Sequence, residues 1–222
     1  MAHVAGALKN LLPQRVVRSA QLRMRFRKFA KLNGLVYFGV VHADDDHDPV
    51  RGFTTSVDQV DSYVMHGTIQ GHDVTLLERT VTHTSSPVGK THLHDHTWLI
   101  ASVVHMVEHA PHILLLSHSH PRLHEEAIAI RHNHREHLPL ESGLDACFLA
   151  YTNPRDADDF RDHINEELVT LLVSRLEYDY EFDEHALYIY SHNKNPTPDD
   201  LNRLLVTALS LAKSYETEIP EH

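Results

Sequence analysis

The sequence predicts an α+β fold: a mostly antiparallel sheet, made of a meander plus a C-terminal hairpin, with C-terminal helices and an N-terminal basic helix. Three observations lead there. Apolar and polar residues alternate with a period of two in runs joined by short turns, as in hairpins. Stripes with helical period, carrying recognisable caps, occupy the last third and the region near the N-terminus. Strands come in hairpins, with helices between and at the ends, which differs from the regular alternation of a parallel sheet.

In chain order, "QRVVRSAQLRMRFRKFAKLNG" (14–34) reads as a basic helix in which Val16, Val17, Ala20, Met24 and Phe29 share a face. Asn33 and Gly34 tolerate the left-handed conformation that ends a helix. "LVYFGVVH" (35–42) is a short β-branched and aromatic run, hence a strand. The charged loop "ADDDHDPVRG" carries Asp44, Asp45, Asp46 and Asp48. Counted from Asp44, the positions where a calcium loop needs Gly and Glu hold Pro49 and Thr55, so it reads as a solvated loop.

"SYVMHGTIQ" and "DVTLLERTVTHT" flank "GH" and read as a hairpin. With "HTWLIASVVHMV" and "ILLLSHS" they make residues 62–119 an expected antiparallel meander of about four strands. "PRLHEEAIAIRHNHREH" (121–137) reads as a helix opened by Pro121 and closed before Pro139. A strand is expected at 145–152. "TNPRDADDFRDHINEELVTLLVSRL" has Asn153 as N-cap and Pro154 at the first position, giving one helix broken near His163 or two short ones. "EYDYEFDEHALYIYSH" is a hairpin turning near Asp183 and Glu184. The last helix opens with Thr197, Pro198 and Asp200, a variant of the capping box. Its Leu201, Leu204, Leu205, Ala208, Leu211 and Ala212 form one stripe that should pack on the sheet. The expected organisation is a basic helical arm over 1–33 and a single α+β domain over 34–222.

Hydrophobic residues make up 41% of the 222, enough for a core, and one cysteine excludes an internal disulfide framework. That residue, Cys147, lies in "DACFLAYT" and reads as a small apolar residue of a strand. No run approaches the roughly 18 consecutive apolar residues of a membrane span, and the N-terminus lacks the apolar stretch of a secretory signal. These features lead to an expectation of a soluble, cytoplasmic protein. The net charge of −11 hides an asymmetry. From Met1 to Ala43 there are eight bases and no acid; the remainder carries 12 bases against 31 acids. A basic segment on an acidic body points to an anionic contact: a membrane surface, a nucleic acid, or the protein's own acidic domain.

"HGTIQGHDVTLLERTVTH", a polar loop and "HTWLIASVVHM", followed by the block from "FLAYTNPRDADDF" to "PDDLNRLLVTALSLA", resemble bacterial proteins that share a domain of unknown function. The resemblance spans residues 60–215 and implies no reaction. It does imply membrane association for some members, which carry membrane segments near the N-terminus where this chain has a basic helix.

The usual catalytic signatures are missing: no Gly-rich phosphate loop, no G-x-S-x-G, no H-E-x-x-H and no C-x-x-C. "HNH" at 132–134 is three letters within an expected helix. Histidine is abundant instead, with 12 of the 22 between residues 92 and 137. In "THLHDH", His92, His94 and His96 would line one side of a strand. His118 or His120 on a neighbouring strand could complete a zinc site. H-x-H occurs four times, however, which weakens each instance.

The reading that follows is a non-enzymatic intracellular protein, without a cofactor, that docks on an anionic membrane surface through Arg15, Arg18, Arg23, Arg25, Arg27, Lys28 and Lys31. The alternative is a histidine-based protein for zinc or another divalent transition metal, or a metal-dependent hydrolase, using His92, His94, His96, His118 and His120. Against that alternative, the 91–96 stretch is expected to be an exposed loop or strand end whose side chains splay apart. Nucleic acid ranks last as a partner, because the body is acidic and no aromatic stacking motif accompanies the basic segment. No protein partner is legible.

Overall fold

The computed structural model describes residues 14–42, 50–56, 58–85, 92–107, 110–120, 136–139, 143–152, 156, 158 and 164–216. The fold is α+β. Three α-helices are described: α1 (Gln14–Leu32), α2 (Glu166–Val173) and α3 (Pro198–Glu216). The strands are β1 (Val36–His42), β2 (Gln59–Ile69), β3 (His72–Ser85), β4 (His92–Val104), β5 (Ile113–Ser117), β6 (Glu136–Leu138), β7 (Phe148–Thr152), β8 (Tyr178–Phe182) and β9 (Ala186–Ser191). They form one sheet in the order β1-β2-β3-β4-β9-β8-β5-β7-β6, with every neighbouring pair antiparallel.

The expected meander holds for β2 to β4, and β1 extends it on the far side of β2. The strand after it goes elsewhere: β4 pairs with β9, and β5 pairs with β8 and β7. The C-terminal hairpin is therefore inserted in the middle of the sheet. The cause is burial. All five residues of β5 and of β8, and all six of β9, are buried; the largely apolar β5 and β9 gain most from a central place with both faces covered, and β8, which carries Asp179 and Glu181, lies between them.

The β2–β3 hairpin turns at Gln70 and Gly71, one residue earlier than "GH" suggests. Both have positive φ, 53° and 91°, as a two-residue turn matching the strand twist requires. The expected helix over 121–137 lies outside the described residues up to 135, and its last two positions belong to β6. Asn153, Pro154 and the first helical stretch after them also fall outside, as do the Asp44–Asp48 loop and "HNH". The second stretch is α2, capped by Asn165, whose Oδ1 accepts the Leu168 N–H at 2.5 Å. Cys147 is half-buried and caps a 3-10 turn just before β7.

Side chains alternate across the sheet and create two cores. One face lies under the three helices, with Leu99, Ile113, Leu115, Tyr180 and Ile189 meeting Phe26, Leu168, Leu172, Leu204 and Leu211. The stripe expected on the last helix is buried as expected. The other face holds a smaller cluster around Phe53, Trp98, Ile100, Tyr188 and Tyr190. The 50–56 segment folds over that face, where the Phe53 N–H donates to Glu181 Oε2 at 2.6 Å and Arg79 Nη2 donates to the Val50 carbonyl at 2.5 Å.

Candidate functional site

α1 is not an arm. Its Leu22, Phe26, Phe29 and Ala30 are buried in the main core, at i, i+4, i+7 and i+8, the spacing of one helical face. The face differs from the expected one. Among the described members of the expected set Met24 is 66% exposed, Ala20 is exposed and Phe29 is buried; the side chains of Val16 and Val17 lie outside the described residues. Tyr63 explains part of the choice. It sits at a bulge in β2 with φ of 56°, and its ring stacks on Phe26 at 4.8 Å. The boundary at residue 33 therefore does not separate two bodies.

Burying the aromatic face turns the basic residues outward and sorts them into two groups. Arg18 donates to the Lys194 carbonyl, and Arg25 donates to Asn195 Oδ1 at 3.0 Å and to the Pro196 carbonyl at 3.3 Å. These two tie α1 to the segment before α3. Arg23, Arg27, Lys28 and Lys31 are exposed, with the Arg27 guanidinium 5.3 Å from the centre of the Tyr37 ring. Met24, Arg27, Lys28 and Lys31 follow i, i+3, i+4 and i+7, one outward stripe, and Leu32 beside it is 74% exposed. No acidic residue occurs in α1. The Arg15 side chain lies outside the described residues. Burial raises the Tyr37 hydroxyl pKa, partly offset by Arg23 and Arg27.

The predicted histidine set is split apart. His92, His94 and His96 do lie on a strand, β4, opposite Ser85, His83 and Val81 of β3. The side chains of His92 and His94 are outside the described residues; His96 is half-buried and stacks against Trp98 at 5.8 Å. β9 and β8 stand between β4 and β5. His118 and His120 thus do not follow a strand that neighbours β4, as the expected zinc geometry required. His118 is exposed, with Nδ1 3.2 Å from the Ala146 carbonyl.

His120 has other company. β5 ends, β8 begins and β9 ends at one edge of the sheet, because the three strands are adjacent and antiparallel. That brings His120, Asp179 and His192 together, with potential ligand atoms all within 4.8 Å of one another. Asp179 is 1% exposed. Its Oδ1 accepts the Ser117 N–H at 2.7 Å, and its Oδ2 accepts from His192 Nε2 at 2.8 Å. The two imidazoles lie 4.5 Å apart between centroids. Burial lowers the His120 pKa, His192 lowers it further, and Asp179 works against both.

Asp179 belongs to a row. Asp179 and Glu181 share one face of β8, and Asp183 follows at the same spacing. Glu181 is fully buried; Oε2 accepts from the Phe53 N–H and the Tyr190 hydroxyl, each at 2.6 Å, and Oε1 lies 2.6 Å from His112 Nε2. Burial, then the Glu181 charge and hydrogen bond, push the Tyr190 hydroxyl pKa far above its usual value. The signal was present as acids at every second position of "YDYEFDEH". Alternation of this kind reads as a solvated face, and only the covering 50–56 segment reveals that it is buried.

No family model and no curated protein matches the chain. Among solved structures the fold is similar to the crystal structure of the mycobacterial trehalose monomycolate transport factor A, TtfA, with a TM-score of 0.61 and 15% identity, covering 90% of this chain and 98% of that one. At that identity the likeness extends to the fold. No helix among the described residues is long and apolar enough to cross a membrane.

Proposed function

We propose that the protein is a non-enzymatic cytoplasmic protein that docks peripherally on an anionic membrane through the outward face of α1. One observation carries the reading. With its aromatic side in the core, α1 presents Arg23, Arg27, Lys28 and Lys31 around a 66% exposed Met24, on a helix without acidic residues.

The charge layout supports an oriented encounter. The chain beyond Ala43 carries 31 acids against 12 bases, so an anionic surface attracts the helix and repels the rest. Four bases near such a surface contribute roughly 1 kcal/mol each, which corresponds to a dissociation constant of about 1 mM. Met24 and Leu32 add apolar burial in the interface. The predicted affinity is weak, salt-sensitive and reversible. The transport factor with a similar fold carries no function over at this identity.

Vesicle flotation tests the reading. Vesicles containing phosphatidylserine should retain the protein at low salt, release it as ionic strength rises, and bind more than phosphatidylcholine vesicles. Equal recovery with both compositions would remove its support.

A further inference from the structure

We propose that His120, Asp179 and His192 form a binding site for a divalent transition metal of the zinc type. The proposal does not depend on the docking face: these residues come from β8 and from the segments following β5 and β9, and none belongs to the outward stripe of α1.

The donor set is right for such an ion. Two imidazoles and one carboxylate bind zinc at about 2.0–2.2 Å, and three protein ligands leave one position for water or a substrate oxygen. Three ligands around one ion at those distances stand roughly 3.3 Å apart. Here the ligand atoms span from 2.8 Å, between His192 Nε2 and Asp179 Oδ2, to no more than 4.8 Å. Side-chain rotation is enough to bring them to one centre. Binding would replace the His192–Asp179 hydrogen bond: the ring takes the tautomer with its proton on Nδ1, and Nε2 and Asp179 Oδ2 then both face the ion.

The supporting contacts are also in place. Metal-bound residues are normally oriented by a second partner. Asp179 Oδ1 is held by the Ser117 N–H, which leaves Oδ2 for an ion. His120 Nδ1 lies 3.1 Å from Ser119 Oγ, and Ser119 Oγ donates to the Leu176 carbonyl at 2.6 Å. A hydroxyl that has given its proton to Leu176 accepts from Nδ1–H, and the lone pair of His120 is then on Nε2. Asp179 is nearly inaccessible while both histidines are half-buried, so the carboxylate lies beneath two imidazoles that can admit an ion from solvent.

The test uses the full chain, purified without a metal resin, stripped with chelator and titrated with Zn²⁺ against a chromophoric competitor. One equivalent should bind. His120→Gln and His192→Gln should each weaken binding by roughly 100-fold or more, beyond the usual cost of losing an outer-shell partner. His92→Ala with His94→Ala should leave it unchanged. Co²⁺ bound to the unaltered protein should give the intense visible bands of a four- or five-coordinate site, a readout independent of any variant's folding. The proposal is overturned if less than one equivalent binds, if affinity survives both glutamine substitutions, if the His92/His94 pair proves to be the ligand, or if Co²⁺ gives only the weak spectrum of six-coordinate cobalt.

Discussion

Arg79 of β3 and Asp61 of β2 are cross-strand partners, and their side chains close a bidentate pair: Nε to Oδ1 and Nη2 to Oδ2, each 2.7 Å. The Arg79 side chain is 0% exposed and that of Asp61 7%. Removing one partner of such a pair leaves a buried charge uncompensated, at a cost of about 3–5 kcal/mol. Arg79→Met should therefore lower the urea midpoint strongly, and adding Asp61→Leu should restore part of the loss. Recovery will be incomplete, because Arg79 also holds Val50 and Thr54. A loss below about 1 kcal/mol in the single variant, the range of exposed pairs, would contradict this placement.

α1 is part of the core. Phe26 is fully buried and stacked on Tyr63, so Phe26→Ala should cost about 3–5 kcal/mol. A chain lacking residues 1–33 should fail to unfold cooperatively. A truncated domain with an unchanged melting curve would restore the picture of a detachable arm.

His105 gives a pH dependence of known sign. Val107 N–H donates to its Nδ1 at 3.3 Å, and its Nε2 lies 2.9 Å from the Asp183 carbonyl. The neutral ring satisfies both contacts; the protonated ring opposes the Val107 N–H with a second donor. Burial lowers the His105 pKa, His185 adds to this, and the Asp183 carbonyl, Glu216 and the Asp183 carboxylate work against it. With a folded pKa below the unfolded one, the stabilisation is present above about pH 6.5 and is lost as pH falls through the folded value. Urea midpoints should fall between pH 7.5 and pH 5.5, and His105→Gln should reduce that fall. Identical pH dependence in both proteins would show that other groups cause it.

Local chemistry was legible in the sequence wherever neighbours in the chain decide it. Thr197 and Asp200 form the capping box read from "TPDD": Asp200 N–H donates to Thr197 Oγ1 at 3.2 Å, and Thr197 N–H donates to Asp200 Oδ2 at 2.9 Å. The stripe from Leu201 to Ala212 was equally readable, since a period of 3.6 determines its face. Long-range pairing was not readable. Nothing local to "ILLLSHS" says that β8 and β9 will separate it from β4, the strand of His92, His94 and His96. The buried face of α1 was not legible because its apolar residues are spread around the helix rather than gathered on one side. Part of the choice is made by Tyr63, at a bulge in another strand, which stacks on Phe26.

The docking account is tested most directly by reversing charge on the outward stripe of α1. Lys28 and Lys31 are exposed, so Lys28→Glu with Lys31→Glu should leave the melting temperature nearly unchanged, within the roughly 0.5 kcal/mol usual for surface substitutions. Two reversals remove roughly 2 kcal/mol of attraction to an anionic membrane and add repulsion. Binding to phosphatidylserine vesicles at low salt should fall at least tenfold, with no change on neutral vesicles. A folded double variant that binds those vesicles as well as the unaltered protein would contradict it.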